Sequence, residues 1–435
     1  MEIFDLDVLF MNVLLVHQFF ATPSSNGGTR HYELFDRLKK RDVHLTVIAS
    51  PEQLKNVSMK KKTDVDSCRI ISISSLPLGQ KGYVWRVLGF FSFMLSAIIR
   101  GLCVRNIDVV IGTSPSLFQA FASYIIASIR RKPFLLEVRD LWPSFAIDIG
   151  LLKSPTLIRM AKWLEAFLYR KAKHIVVNSP AYVTYLLEHG VRSEKISLVP
   201  NGVDVGAFTS VIDSSKEKYR RDWGVATNQF VVVYAGAIRM ANHLDIVVEA
   251  ASVLRNKKSQ VFIAVIGDGR ERSRLEAQVA HLGLKNIKFC GPESKSEMPN
   301  VIATADACFA GLKDISMFTM TYPNKVFDYM AGGRPTILAI DGVIRDVIEA
   351  SGGGVFVPPS DAVAIAEAMH DLSLQPRKAQ QMGEQARDYV SKNFNRDDQA
   401  EILGKVLDGL LVGAYINSKS PVMSDVDDLC RRQAA

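Results

Sequence analysis

Short β-branched apolar runs alternate with longer segments of helical period along most of the chain. NVLLV at 12–16 predicts a first strand, and the pattern over 29–41 predicts a helix behind it. Further strands are expected at 44–49, 69–73, 108–112, 133–138, 174–178 and 196–199, most of them separated by helical stretches. After Pro200-Asn201-Gly202 a polar, loop-like stretch runs to about residue 215. The alternation then restarts with FVVVYAG at 230–236 and continues at 261–267, 286–290, 307–310, 335–340 and 354–357. From residue 361 to about 415 the pattern is almost wholly helical, and the polar residues after 417 predict a frayed tail. Near-continuous apolar strands joined by helices indicate parallel sheets covered on both faces. The expectation is therefore an α/β protein with two Rossmann-like doubly wound domains facing a central cleft. The first spans 11–202 and the second 203–395; a helix over 396–416 crosses back to the first, and 417–435 is a tail.

In open parallel sheets ligands sit beyond the carboxyl ends of the strands, so the residues that follow each strand carry the information. The loop after the first strand holds Asn26-Gly27-Gly28-Thr29 just before a helix, where free amides and absent side chains suit an anionic or polyhydroxyl group, or simply a tight turn. No strand is followed by Gly-x-Gly-x-x-Gly, since Gly267-Asp268-Gly269 lacks the third glycine, and no Walker-type phosphate loop occurs; a dehydrogenase and a P-loop kinase are disfavoured. The segment 322–335 is the most informative. Pro323 suits a helix start, so the 324–327 amides with Asn324 and Lys325 are candidates for phosphate. Asp328, one turn on, is a candidate acceptor for a ribose diol, and Gly332-Gly333 ends the helix. Standing alone, the same residues fit a helix with an ordinary exposed Asp and Lys.

Charge modifies this picture. The net +8 is uneven: residues 1–200 hold 26 Lys+Arg against 16 Asp+Glu, or +10, leaving −2 for the remainder. Such a first half suits an anionic partner or scattered solvated faces. Two segments join aromatic to basic residues: 83–105, with Trp85, Arg86, Arg100 and Arg105, and 157–173, with Trp163, Phe167, Tyr169, Arg159, Lys162, Arg170, Lys171 and Lys173. They fit peripheral contact with an anionic membrane, or helices covering a sheet. The apolar run 87–99 is too short to span a bilayer. Five scattered cysteines suggest neither a disulfide framework nor a zinc site, and the eight histidines show no metal-ligand spacing. Residues 1–10 lack the basic and small-residue marks of a signal peptide and read as an upstream start or an appended arm.

The glycine loop, Pro200-Asn201-Gly202-Val203-Asp204 with Phe208, Gly236, Gly267-Asp268-Gly269, Ala305-Asp306, segment 322–335, and Gly353-Gly354-Val355 with Pro358-Pro359 resemble, in order and spacing, the retaining nucleotide-sugar glycosyltransferases of family four, from Met11 to about Tyr415. The resemblance implies the GT-B fold. Glu137-Val138-Arg139-Asp140-Leu141-Trp142-Pro143 is similar to a subgroup building bacterial capsule and O-antigen chains, including N-acetylfucosamine transferases. It places Arg139 and Asp140 where many relatives carry a His-Asp pair, against the plain alternative of Asp140 capping a turn and Trp142 filling core. The implied protein is a retaining, metal-independent hexosyltransferase without a cofactor, its co-substrate a nucleotide diphosphate sugar, UDP-linked by expectation. It would work at the inner face of the cytoplasmic membrane on a lipid-linked or oligosaccharide acceptor, with no nucleic acid as partner. Donor-site residues would be Asp328, Lys325, Asn324, Arg239, Gly236 and Asp268. The catalytic residues would be Arg139 and Asp140, near the acceptor, and Gly27 and Gly28 would form the acceptor or phosphate loop. Two departures stand out: the family's first donor-sugar glutamate falls on Met320, and its diphosphate Arg and Lys fall on Ala237 and Asn242. An epimerase or hydrolase of the same architecture and a non-catalytic nucleotide-sugar-binding scaffold are the alternatives.

Overall fold

A computed structural model of the chain describes residues 10–25, 27–50, 64–65, 68–74, 76, 83–209 and 213–412. Asn26, the side chain of Arg86, residues 1–9, the expected helical residues beyond 412 and the tail lie outside the described residues. Contacts divide the chain into two units. One holds the residues up to Phe20, Arg30–Pro200 and those from Gln399 onward; the other holds Ala21–Thr29 and Asn201–Asp398. The glycine loop, expected with the first domain, thus groups with the second, where the Ser296 amide donates to the Pro23 carbonyl at 3.3 Å.

The first unit contains β1 (Met11–Val16), α1 (Arg30–Leu38), β2 (Val43–Ala49), β3 (Asp64–Val65), β4 (Cys68–Ser72), α2 (Tyr83–Leu102), β5 (Val109–Thr113), α3 (Leu117–Arg130), β6 (Phe134–Val138), α4 (Ser144–Asp148), α5 (Pro155–Lys171), β7 (His174–Val177), α6 (Pro180–Glu188) and β8 (Ile196–Leu198). Its sheet order is β3-β4-β2-β1-β5-β6-β7-β8, parallel except for β3, a two-residue antiparallel edge strand that no alternation in the sequence announced. Strands β1, β5 and β6 are buried along nearly their whole length, which is why they read as continuous apolar runs.

The second unit contains α7 (Asp213–Trp223), β9 (Phe230–Ala235), α8 (Asp245–Asn256), β10 (Val261–Ile266), α9 (Arg272–His281), β11 (Ile287–Gly291), α10 (Met298–Thr304), β12 (Ala307–Gly311), α11 (Asn324–Ala331), β13 (Thr336–Ala339), α12 (Val343–Ser351), β14 (Gly354–Phe356), α13 (Ala362–Leu374) and α14 (Pro376–Asn393). Its six parallel strands run β11-β10-β9-β12-β13-β14. The stretch expected to be loop to about 215 carries a 3-10 turn, Val205–Phe208, and the start of α7. α7 is mostly polar, so its periodic signal is faint. It is held by Tyr219 and Trp223, one turn apart, both buried in the core beside Phe208.

The closing helix α15 (Arg396–Val412) sends Ala400, Leu403, Val406 and Leu407 into the core formed by β1, β2 and α1. Among the described residues no helix is long and apolar enough to cross a membrane. α2 is apolar all round: Phe93, Met94 and Ala97 are buried, whereas Trp85, Leu88, Phe91, Leu95 and Ile99 are exposed. α5 likewise exposes Leu157, Met160 and Trp163.

On its inner side α5 buries Glu165, which accepts from Tyr169 Oη at 2.9 Å. Desolvation pushes this carboxyl up to about 7, against the hydrogen bonds from Tyr169 and Tyr185 that favour ionisation. The folded state therefore binds this proton where the unfolded chain has released it, and stability falls as pH rises from the ordinary carboxylate range through 7. Glu165→Gln is expected to raise Tm at pH 8 and to change it little at pH 4.5; scanning calorimetry at the two pH values checks this, and an equal shift at both would contradict it.

Candidate functional site

Each sheet reverses its winding once, between β1 and β5 in the first unit and between β9 and β12 in the second, and the loops leaving those strands diverge to leave a crevice.

In the second unit the loops after β9 and β10 are laced together. The Gly236 amide donates to the Ile266 carbonyl at 2.9 Å and the Ile238 amide to the Asp268 carbonyl at 2.9 Å. A Cβ on Gly267, at φ +144°, would lie 1.9 Å from the Gly236 carbonyl oxygen, so only glycine allows this approach. α11 is fixed beneath these loops by Tyr329, whose hydroxyl accepts from the Ala235 amide at 2.8 Å and donates to the Ala235 carbonyl at 3.2 Å. Helix position and loop position are thereby coupled.

From the first turn of α11, Lys325 reaches under Gly236. Its Nζ donates to Asn242 Oδ1 at 2.9 Å and to Tyr234 Oη at 3.1 Å, and lies 4.4 Å from the centre of the Tyr234 ring. Among the described residues no carboxylate pairs with it. Desolvation without a counter-charge pulls its ammonium down to about 7. A cation held this way is completed by an incoming anion. Next to it, the buried Asn324 Oδ1 has no hydrogen-bond partner among the described residues.

Asp328 is placed differently from an open ribose acceptor. Both of its carboxylate oxygens accept from Lys295 Nζ at 2.6 Å, so a diol would share or displace that ammonium. Lys295 lies in a 3-10 turn, Lys295–Glu297, with no periodic pattern to mark it. Arg239 and Asp268 stand after β9 and β10, and Asp268 Oδ1 accepts from the Gly269 amide at 2.8 Å. Of the 324–327 amides, that of Val326 already donates to the Pro323 carbonyl at 3.1 Å. Met320 ends the 3-10 turn Ser316–Met320.

In the first unit a buried charge cluster underlies the strand ends. Glu137, inside β6, accepts from Arg30 Nε at 3.0 Å and from His31 Nε2. Arg30 continues to the Pro200 and Val199 carbonyls at 2.7 and 2.6 Å, tying the start of α1 to the exit of β8. Desolvation opposes the charge on Glu137, but His31 and Arg30 outweigh it and hold the carboxyl well below its ordinary value. Burial lowers His31, and Glu137 beside it counters that shift.

Above this cluster, Arg139 Nη1 is 3.2 Å from His17 Nε2, and the His17 and His31 rings are 4.8 Å apart. Ser114 Oγ accepts from the Arg139 and Asp140 amides at 2.8 and 3.0 Å and donates to the Asp140 carbonyl at 2.9 Å, fixing both residues just past β6. Desolvation, opposed by Arg139, raises the Asp140 carboxyl to about 6. His17 and Gln18, which follow β1 directly, are functional candidates that the sequence pattern did not single out. Gln18 is fully buried with neither side-chain polar atom partnered among the described residues. Their position after the first strand was the signal available. Gly27 has φ +141°, where a side chain would be strained, and an added Cβ would lie 3.2 Å from Ala21 Cβ; at Gly28 an added Cβ would meet nothing within 4 Å.

Two family models match the chain in succession. Glycosyltransferase Family 4 matches residues 26–207, and Glycosyl transferases group 1 matches 215–389. The chain belongs to glycosyltransferase family four. It is 24% identical over 322 residues to the putative colanic acid biosynthesis glycosyl transferase WcaI of Escherichia coli, covering 72% of this chain and 77% of that protein. Anabaena HepE, solved in complex with UDP and glucose, superimposes with a TM-score of 0.69 over 92% of this chain and 99% of that one at 20% identity. Sucrose-phosphate synthase from Thermosynechococcus elongatus gives a TM-score of 0.72 at 17% identity, over 93% of this chain and 100% of that one. The architecture is GT-B, and this family-four member is a glycosyltransferase.

Proposed function

We propose that this glycosyltransferase moves a hexose-type sugar from a UDP-sugar, with retention of anomeric configuration and without a metal, to a lipid-linked or oligosaccharide acceptor in bacterial surface polysaccharide assembly. The observation that carries the proposal is Lys325: a desolvated ammonium with no carboxylate among the described residues, beneath a glycine loop at the strand ends of the second unit. It suits a diphosphate. The UDP held by HepE and the polysaccharide role in the name of WcaI support the donor class and the pathway class.

In the proposed reaction the bond from the anomeric carbon to the diphosphate oxygen breaks while the acceptor oxygen bonds to the same face. The acceptor proton passes to the departing phosphate. Lys325, with Arg239 at the loop tip, offsets the negative charge that develops on the leaving group. No protein nucleophile is assigned. Arg139 and Asp140 orient the acceptor in the first unit, and the exposed aromatic and basic residues of α2 and α5 meet an anionic membrane surface.

Thermal shifts with UDP, GDP and their sugars test the donor, because a ligand of the native state raises Tm. UDP is expected to give the larger shift. Product analysis by NMR is expected to show an α-linked product from an α-linked donor; free sugar or an epimer with no glycoside would overturn the transfer to an acceptor. Asp140→Asn is expected to lower kcat by about 10²-fold, because a misplaced acceptor costs that much, with the UDP shift unchanged. Loss of the UDP shift in that variant would contradict the assignment of Asp140 to the acceptor.

A further inference from the structure

The first unit contains an apolar cavity of about 730 Å³, lined by Phe90 of α2, Phe118 of α3, Trp142, Leu152 beyond α4, and Met160 and Trp163 of α5. Its wall also includes His17, the histidine within 3.2 Å of Arg139. One side of the cavity therefore touches the polar cluster at the strand ends. Its α5 wall carries Met160 and Trp163, about 60% exposed, so the apolar lining continues onto the exposed surface. Arg159, which also lines the cavity, and Lys162 on the same helix add positive charge there.

We propose that this cavity holds the hydrocarbon chain of a phosphate-linked isoprenoid acceptor, with the phosphate toward Arg139 and His17. The inference rests on the acceptor role given above to the first unit and names the class of acceptor. Three observations favour this occupant over a peptide or a glycan. The lining is almost wholly aromatic and aliphatic, so it offers few partners to the polar backbone of a peptide or the hydroxyls of a sugar. The volume holds on the order of twenty methylene-sized groups, taking a methylene as similar to the roughly 30 Å³ of a water, which matches a chain of a few isoprene units. The cavity wall reaches His17, whose Nε2 lies 3.2 Å from the Arg139 guanidinium, so a hydrogen-bonding group backed by a cation stands at that end, as an amphiphile with an anionic head requires.

Binding of geranylgeranyl phosphate, isopentenyl phosphate and inorganic phosphate to the full chain, read by the fluorescence of Trp142 and Trp163 below the lipid's critical micelle concentration, tests the proposal. Geranylgeranyl phosphate is expected to bind at least about a hundredfold more tightly than isopentenyl phosphate, because burial of the longer chain supplies the difference. Ala161→Trp, which fills the cavity from α5, is expected to abolish that preference while the UDP thermal shift persists, showing that the variant is folded. Similar affinity for the long and short chains would overturn the proposal. So would unchanged geranylgeranyl phosphate binding in Ala161→Trp, or binding confined to anionic vesicles, which would indicate a membrane surface alone. A UDP shift without lipid binding removes the cavity proposal and leaves the transferase reading standing. Lipid binding without a UDP shift does the reverse.

Discussion

Lys325→Met is expected to weaken UDP binding by about 30-fold or more, since losing one partner of a buried, hydrogen-bonded charge pair costs roughly 2 kcal/mol or above. The same substitution is expected to leave Tm unchanged or raise it. In the free protein the ammonium is desolvated and has only Asn242 and Tyr234 as partners among the described residues, so removing it relieves an uncompensated charge. The opposite signs for affinity and stability separate a ligand-binding lysine from a structural one. The pH dependence has a definite direction as well. With the folded value near 7 and the unfolded value near that of free lysine, the unfolded chain binds more protons between the two, so the stability associated with Lys325 is present at high pH and is lost as pH falls toward 7. Anion binding runs the other way: it needs the protonated form, so UDP affinity is expected to decline as pH rises from 7.5 to 9.5, with net proton uptake on binding at pH 8. Titration calorimetry in buffers of different ionisation enthalpy reads that uptake, and Lys325→Met is expected to abolish it. Introducing Asn242→Lys into the Lys325→Met background is expected to restore affinity, because residue 242 lies within 2.9 Å of where the ammonium sits. Unchanged UDP affinity in Lys325→Met would remove the donor site from this crevice.

The contact between Lys325 and Asn242 also separates what was legible in the sequence from what was not. The strands were readable because β-branched runs such as those of β1 and β9 are buried along their length and show no polar interruption. The start of α11 at Asn324 was readable because Pro323 marks it. The sequence does not reveal that the Lys325 side chain crosses to the loop after β9 and occupies the neighbourhood of Asn242. Spacing along one helix says which residues share a face, not which loop from another strand they meet. Asp328 illustrates the same limit. Helical spacing puts it on the side of Lys325, yet its carboxylate is engaged by Lys295, 33 residues away in an irregular turn. Tyr219 and Trp223 anchor a helix whose polar surroundings hide its period. Isolated histidines suggest nothing by spacing, although His17 and His31 come together once β1 and α1 are in place.

Glu137→Leu is expected to cost about 3–5 kcal/mol, because removing one partner of a buried ion pair leaves the Arg30 charge without that carboxylate. For a unit of this size that lowers Tm by about 6–20 °C. The damage is expected to spread, since Arg30 also holds the Val199 and Pro200 carbonyls and His31 loses its acceptor. Arg30→Met combined with Glu137→Leu is expected to be more stable than Glu137→Leu alone. Replacing both partners removes the buried charge together with its counter-charge, and the difference in a double-mutant cycle measures their coupling. Acid acts on the same cluster in a fixed direction. Glu137 is held below its ordinary value, so its contribution is present above the usual carboxylate range and is lost as pH falls through the depressed value. His17 and His31 are lowered by burial; the unfolded chain takes up their protons first, and stability declines as pH drops below about 6.5. Both effects point the same way and oppose those of the raised Glu165 and Asp140 carboxyls, so the cluster is read by difference: the Tm loss caused by Glu137→Leu is expected to shrink as pH falls from 7 to 4. Circular dichroism melts across that range decide the matter. Glu137→Leu with wild-type stability would mean that the pair contributes nothing net to folding. The importance of the cluster would then rest on Arg139 and His17 above it, the side proposed to meet the acceptor.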